Sequence, residues 1–125
     1  MAAQFTKTRT RQAAILIDGI HTEVFCCCYQ DRIFVIVSQL EKMGNLISVN
    51  KLSSSEDASS TGTQTFHTKT LMGSDEEIWH VYAKQIGALV SSSSSKPLLV
   101  GIALKKHSPQ TLQQILKLLQ SNQVW

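Results

Sequence analysis

Long apolar runs are missing from this chain of 125 residues. None approaches the roughly 18 consecutive apolar residues that a membrane-spanning helix needs, so no such helix is expected. The first residues also lack the apolar stretch of a secretory signal. Cysteine is scarce: the three cysteines are contiguous, Cys26-Cys27-Cys28. They do not form a disulfide framework, which points to a reducing compartment. Adjacent residues of a strand face opposite ways, so these thiols cannot converge on one metal ion. Cys26 and Cys28 would share a face, where small buried thiols are expected. Zinc needs ligand pairs spaced to meet, and no such set is present. His21, His67, His80 and His107 have no acidic or cysteine companion at the spacing of a catalytic set. There is no G-x-S-x-G, no phosphate-binding glycine loop and no H-E-x-x-H. An enzyme is not expected, and neither is a cofactor or a metal.

What remains is ordinary in amount and uneven in placement. An apolar content of 42% with 17% charged residues suits a soluble globular protein, and the length suits one domain over residues 1–125. The net charge of +3 sits at the front: Lys7, Arg9 and Arg11 precede any acid, and from Asp18 onward nine basic and nine acidic side chains cancel. A basic, acid-poor arm over residues 1–11 suits a transit peptide or a nucleic-acid contact. The same three residues alternate with Thr6, Thr8 and Thr10. The plainer reading is one solvent-facing side of an edge strand, where positive charge discourages edge pairing, or a frayed tail.

The alternation of apolar residues marks strands in order. Gln12 to Ile17 runs into Asp18-Gly19, a strong hairpin signal, and Ile20 to Tyr29 returns. Arg32 to Leu40 is apolar on both sides, with Ile33, Val35 and Val37 against Phe34 and Ile36. That pattern predicts a strand covered on both faces, one by helices and the other by a partner chain. Asn45 to Asn50 makes a fourth strand, and short connections make an antiparallel meander of the four. Residues 53–64 are polar and expected to be mobile, because they bury too little to offset ordering entropy. Thr65 to Thr70 is a fifth strand, and the nearly all-apolar Leu98 to Leu104 is a central sixth. Gly101 within it predicts a bulge or a close packing contact.

Two helices complete the expectation. Ser74 with Glu77 three residues later reads as a capping box, with Asp75, Glu76 and Glu77 at the positive end of the dipole. Ile78, Val81, Tyr82, Ile86 and Leu89 would then share the core face, with His80, Lys84 and Gly87 opposite. Ser108-Pro109 starts the second helix, whose stripe is Leu112, Ile115, Leu116 and Leu119. Five serines, Ser91 to Ser95, join the first helix to the sixth strand, and the final Trp125 is expected to dock on the core. The fold class is α+β: a single six-stranded, mainly antiparallel sheet with two amphipathic helices, a meander of four strands followed by β-α-β-α.

Four short stretches resemble the proteasome assembly chaperone 3 family. They are Lys42 to Val49 (KMGNLISV), Thr68 to Glu76 (TKTLMGSDE), His80 to Lys84 (HVYAK) and the ending Val124-Trp125. The resemblance spans nearly the whole chain and implies a non-catalytic eukaryotic chaperone of 20S core particle assembly, cytoplasmic and also nuclear in range. It implies a dimer, either with the related assembly chaperone 4 or with itself. It further implies binding to proteasome α-type subunits, α5 above all, during α-ring assembly, and absence from the mature particle. No nucleic acid, membrane, nucleotide or metal partner is implied. Recognition segments often sit on loops, so Ser53, Ser54, Ser55, Glu56, Asp57, Ser59 and Ser60 are the candidate partner-binding residues. A small nucleic-acid-binding domain using the basic arm is the alternative, weakened by a neutral body without interleaved surface aromatics.

Overall fold

The computed structural model describes residues 9–40, 43–52 and 65–125. Its strands are β1 (Arg9–Ile17), β2 (Ile20–Cys28), β3 (Ile33–Ser38), β4 (Asn45–Lys51), β5 (Phe66–Met72) and β6 (Leu98–Ala103). Helix α1 (Glu77–Ser91) lies between β5 and β6, and α2 (Pro109–Gln120) follows β6. The α+β class, with six strands in one mainly antiparallel sheet and two amphipathic helices among the described residues, is the one expected. Asp18 (φ 52°) and Gly19 (φ 76°) close the first hairpin. Both central residues take the left-handed conformation that matches a hairpin's right-handed twist.

The strand order is β1-β2-β3-β6-β4-β5. The elements follow one another as expected, but the fourth strand is not the neighbour of the third. β6 enters between them, parallel to β3 and antiparallel to β4. The reason is burial: Leu98, Val100, Gly101, Ile102 and Ala103 are all buried, and only a central position covers such a strand on both sides. Gly101 makes the close contact predicted for it. A Cβ there would come within 2.7 Å of Met43 Cγ, on the face shared with Ile36.

Both helices pack on one face of the sheet, α1 across β4, β5 and β6, and α2 against α1, β1 and β2. The core between them includes Val24, Cys26, Val35, Val37, Val49, Val100, Ile102, Ile86 and Ile115. Ser108 caps α2 as predicted, its hydroxyl accepting the Thr111 N–H at 3.0 Å. Val124 is buried and Trp125 packs half-buried against the core, so the end of the chain docks as expected.

The start of α1 departs from the capping-box expectation. Gly73 (φ +96°) lies so close to Asn45 that a Cβ would meet the amide oxygen. That oxygen accepts the Ser74 backbone N–H at 2.8 Å. Ser74 Oγ donates to Glu76 Oε2 (2.9 Å), and the helix begins only at Glu77, with Glu76 as an N-cap that makes no side-chain cap bond. Of the three carboxylates, only Glu77 stands in the first turn. The later start comes with a turned helix. Trp79, Tyr82, Ala83, Ile86, Gly87 and Val90 are buried, while Val81 is 40% exposed. Ile78 and Leu89 flank the core half-buried. Gly87, expected on the outer face, is the contact point: a Cβ would lie 2.9 Å from Val49 Cγ1, so its absence lets α1 settle on β4.

A helix-free sheet face as the candidate interaction surface

The pleat sends alternate residues to opposite sides, and the pairing register carries this across all the strands. Val24, Cys26 and Cys28 of β2 join Val35, Val37, Val100 and Val49 under the helices. Phe25 and Cys27 point the other way, level with Ile36 and Phe34 of β3. Those two are level with Gly101 and Leu99 of β6, which continue to Leu46 and Ser48 of β4. Leu16 (67% exposed) and Met72 (59% exposed) extend this face toward its two edges. Among the described residues, no helix or strand covers it, while Met43, from the β3–β4 connection, lies over Gly101. A contiguous apolar sheet face is costly to leave in water and is the usual mark of a protein contact.

Over β1 to β3 the face is hollowed. One depression of about 310 Å³ is lined by Gln12, Ala14, Glu23, Phe25, Ile36 and Ser38 among others. A second, of about 250 Å³, adjoins it at the sheet's end and is lined by His21, Glu23, Ser38, Gln39 and Lys105 among others. The two share Glu23 and Ser38.

The three thiols are free and buried. Burial, and secondarily Cys27 alongside, pushes the Cys26 thiol up to about 11, as expected of an inert core cysteine. Cys27 alone of the three points to the helix-free side. Lys96 Nζ donates to the Tyr29 carbonyl at 2.7 Å and lies 3.4 Å from Cys28 Sγ, tying the β2–β3 turn to the segment before β6. Among the described residues, no three histidine, cysteine or acidic side chains come together as metal ligands. No described helix is long and apolar enough to cross a membrane.

The polar cluster that sequence reasoning missed lies on the helix side. His80 sits between Thr68, whose Oγ1 is 2.7 Å from Nδ1, and the Asp75 carboxylate at Nε2. Thr70 Oγ1 also donates to Asp75, at 2.8 Å. The hydrogen bonds from His80 and then Thr70 hold the Asp75 carboxyl below its ordinary range. The group fastens β5 to the start of α1. The signal was available: Thr68 and Thr70 alternate onto one face of β5, and Asp75 and His80 straddle a helix start.

The predicted contact residues Ser53, Ser54, Ser55, Glu56, Asp57, Ser59 and Ser60 lie outside the described residues, as does Lys7. The segment that holds the seven joins β4 to β5, where Leu52 N–H donates to the Thr65 carbonyl at 2.9 Å. Arg9 and Arg11 stand exposed on β1, an edge strand of the sheet.

Comparison with known proteins agrees with this architecture. The model of the family described as proteasome assembly chaperone 3 matches residues 35–122. A proteasome assembly chaperone 3 from Nematostella vectensis is 46% identical over 116 residues, covering 89% of this chain and 86% of that protein. Those of Bos taurus and Homo sapiens are 34% and 32% identical over 117 residues, each covering 93% of both chains. In fold, the chain is similar to a crystal structure of a chaperone complex for yeast 20S proteasome assembly, with a TM-score of 0.73. That likeness has 13% identity and covers 90% of this chain and 97% of the other. With a sheet face that no described helix or strand covers and relatives matched over most of their length, the chain belongs to the proteasome assembly chaperone 3 family, non-catalytic assembly factors of the proteasome.

Proposed function

We propose that this protein promotes assembly of the 20S α-ring by binding α-type subunits, α5 above all, as a dimer with the related assembly chaperone 4 or with itself. It acts in the cytoplasm or nucleus and leaves before the particle matures. The observation that carries this reading is the helix-free face built from Phe25, Phe34, Ile36, Leu46 and Leu99. A sheet with one apolar side uncovered is half of a sandwich, and a second sheet stacking about 10 Å away would complete it. The residues 53–60 are proposed to contribute to the subunit contact, since their segment joins β4 to the edge strand β5.

Affinity purification of the tagged protein from eukaryotic lysate tests the reading. Free α-type subunits and a second small chaperone should co-elute without complete mature particles. Recovery of no proteasome subunit would overturn it. Deleting residues 53–60 should weaken α5 binding while leaving the dimer intact; unchanged affinity would remove that segment from the site.

A further inference from the structure

We infer that the helix-free face is specific for a partner chain that presents a basic side chain, arginine or lysine, to Glu23. This rests on the proposed function, in which a second chain covers that face. Among the described residues, Glu23 is the one carboxylate that the strands place there, and it makes no hydrogen bond or ion pair. It stands where the two hollows meet. Ala14, Phe25 and Ile36 form apolar walls on one side, and His21, Gln39 and Lys105 line the other. Lys105 lines the second hollow with it, but among the described residues its ammonium forms no ion pair, and its backbone N–H donates to Gln39 Oε1 at 2.8 Å. A partner seated on this face takes water from the carboxylate. A carboxylate desolvated without a counter-ion is costly, so the covering chain has to supply one. A long basic side chain suits both halves of the site, since its methylenes lie along apolar walls while its charge reaches the carboxylate.

A second copy of this chain is poorly matched to that need. Lys69 is the one ammonium that the strands carry on the same face, and the register sets it level with Cys27. It is thus four residues along and four strands across from Glu23, or roughly 13 Å by 19 Å. A twofold pair would have to cross its strands at about 70° to join the two, between the ~30° and ~90° at which sheets stack. Among the described strand residues a second copy thus offers no well-placed ammonium, and the complementary cation is assigned to a different chain.

The test is titration calorimetry of the purified protein against purified assembly chaperone 4, at low and at physiological salt. Glu23→Gln should weaken binding about tenfold and flatten its salt dependence. Glu23→Lys should weaken it further, and one Arg or Lys→Glu change in the partner should restore it. Ala14→Trp, which fills the apolar hollow, should weaken binding without altering the salt dependence. Glu77→Gln, on the far side of the sheet, should change nothing. Binding by both Glu23 variants equal to the wild type would overturn the inference while leaving the proposed function intact. Wild-type protein that binds no chaperone 4 would overturn the inference and leave the proposed function only its self-associated form. Self-association abolished by Glu23→Lys would put the cation in a second copy and overturn the choice of partner.

Discussion

Asp75 shows how one side chain joins two elements. Its carboxylate is stabilised by His80 and Thr70, so the charged form is favoured in the folded state and the folded pKa lies below the unfolded one. A carboxyl lowered in this way contributes stability at every pH above its unfolded value, about 4. That contribution is lost as pH falls through the lower folded value. Asp75→Asn is therefore expected to lower the thermal midpoint at pH 7. The gap from wild type should persist down to about pH 4 and close below it. Thermal melts from pH 7 to pH 2 would check this, and a gap that widened in acid would contradict it. At this scale the sequence was least legible. A capping box was written into Ser74 and Glu77, but Gly73 against Asn45 captured Ser74 first. No local rule foresees a partner 29 residues away.

The elements themselves were legible, because each carries a periodicity or a punctuation mark that is local. Asp18-Gly19 turned the first hairpin, and Ser108 followed by Pro109 started α2. Losing the Ser108 hydroxyl leaves the Thr111 N–H without its acceptor. Ser108→Ala is accordingly expected to destabilise the fold by about 1 kcal/mol without displacing α2, as measured by urea denaturation. A change within a few tenths would show that the cap contributes little. The facing of α1 was harder. Its sequence offers apolar residues around much of its circumference, including Ile78, Val81 and Leu89 as well as Trp79, Ala83 and Val90. The choice fell to the stretch containing Gly87, because only a residue without a Cβ lets the helix approach Val49 so closely. Val81 was left outside in consequence.

For the whole molecule, the decisive fact is that one sheet carries two apolar faces and the described helices cover only one. Substitutions on the two faces should therefore separate. Phe34→Asp, on the open side, is expected to leave the monomer folded by circular dichroism while shifting its sedimentation toward the monomer and weakening partner binding at least tenfold. Ile102→Asp, 1% exposed beneath the helices, should unfold the protein, since it buries an unpaired charge. If Phe34→Asp left sedimentation and partner binding unchanged, the helix-free face would lose its role as the contact surface.

The chain's own order of residues was enough to establish the α+β class, the strands and helices, the hairpin and the second helix's cap. These depend on neighbours within about one turn or one strand. It was also enough to show that β3 is apolar on both sides. Only the tertiary structure decided that β6 lies between β3 and β4, which way α1 turns, and that Glu23 stands beside two hollows of a face that no described helix covers. Those outcomes depend on which distant surfaces meet, and a strand's pattern shows only that it must be covered, not by what.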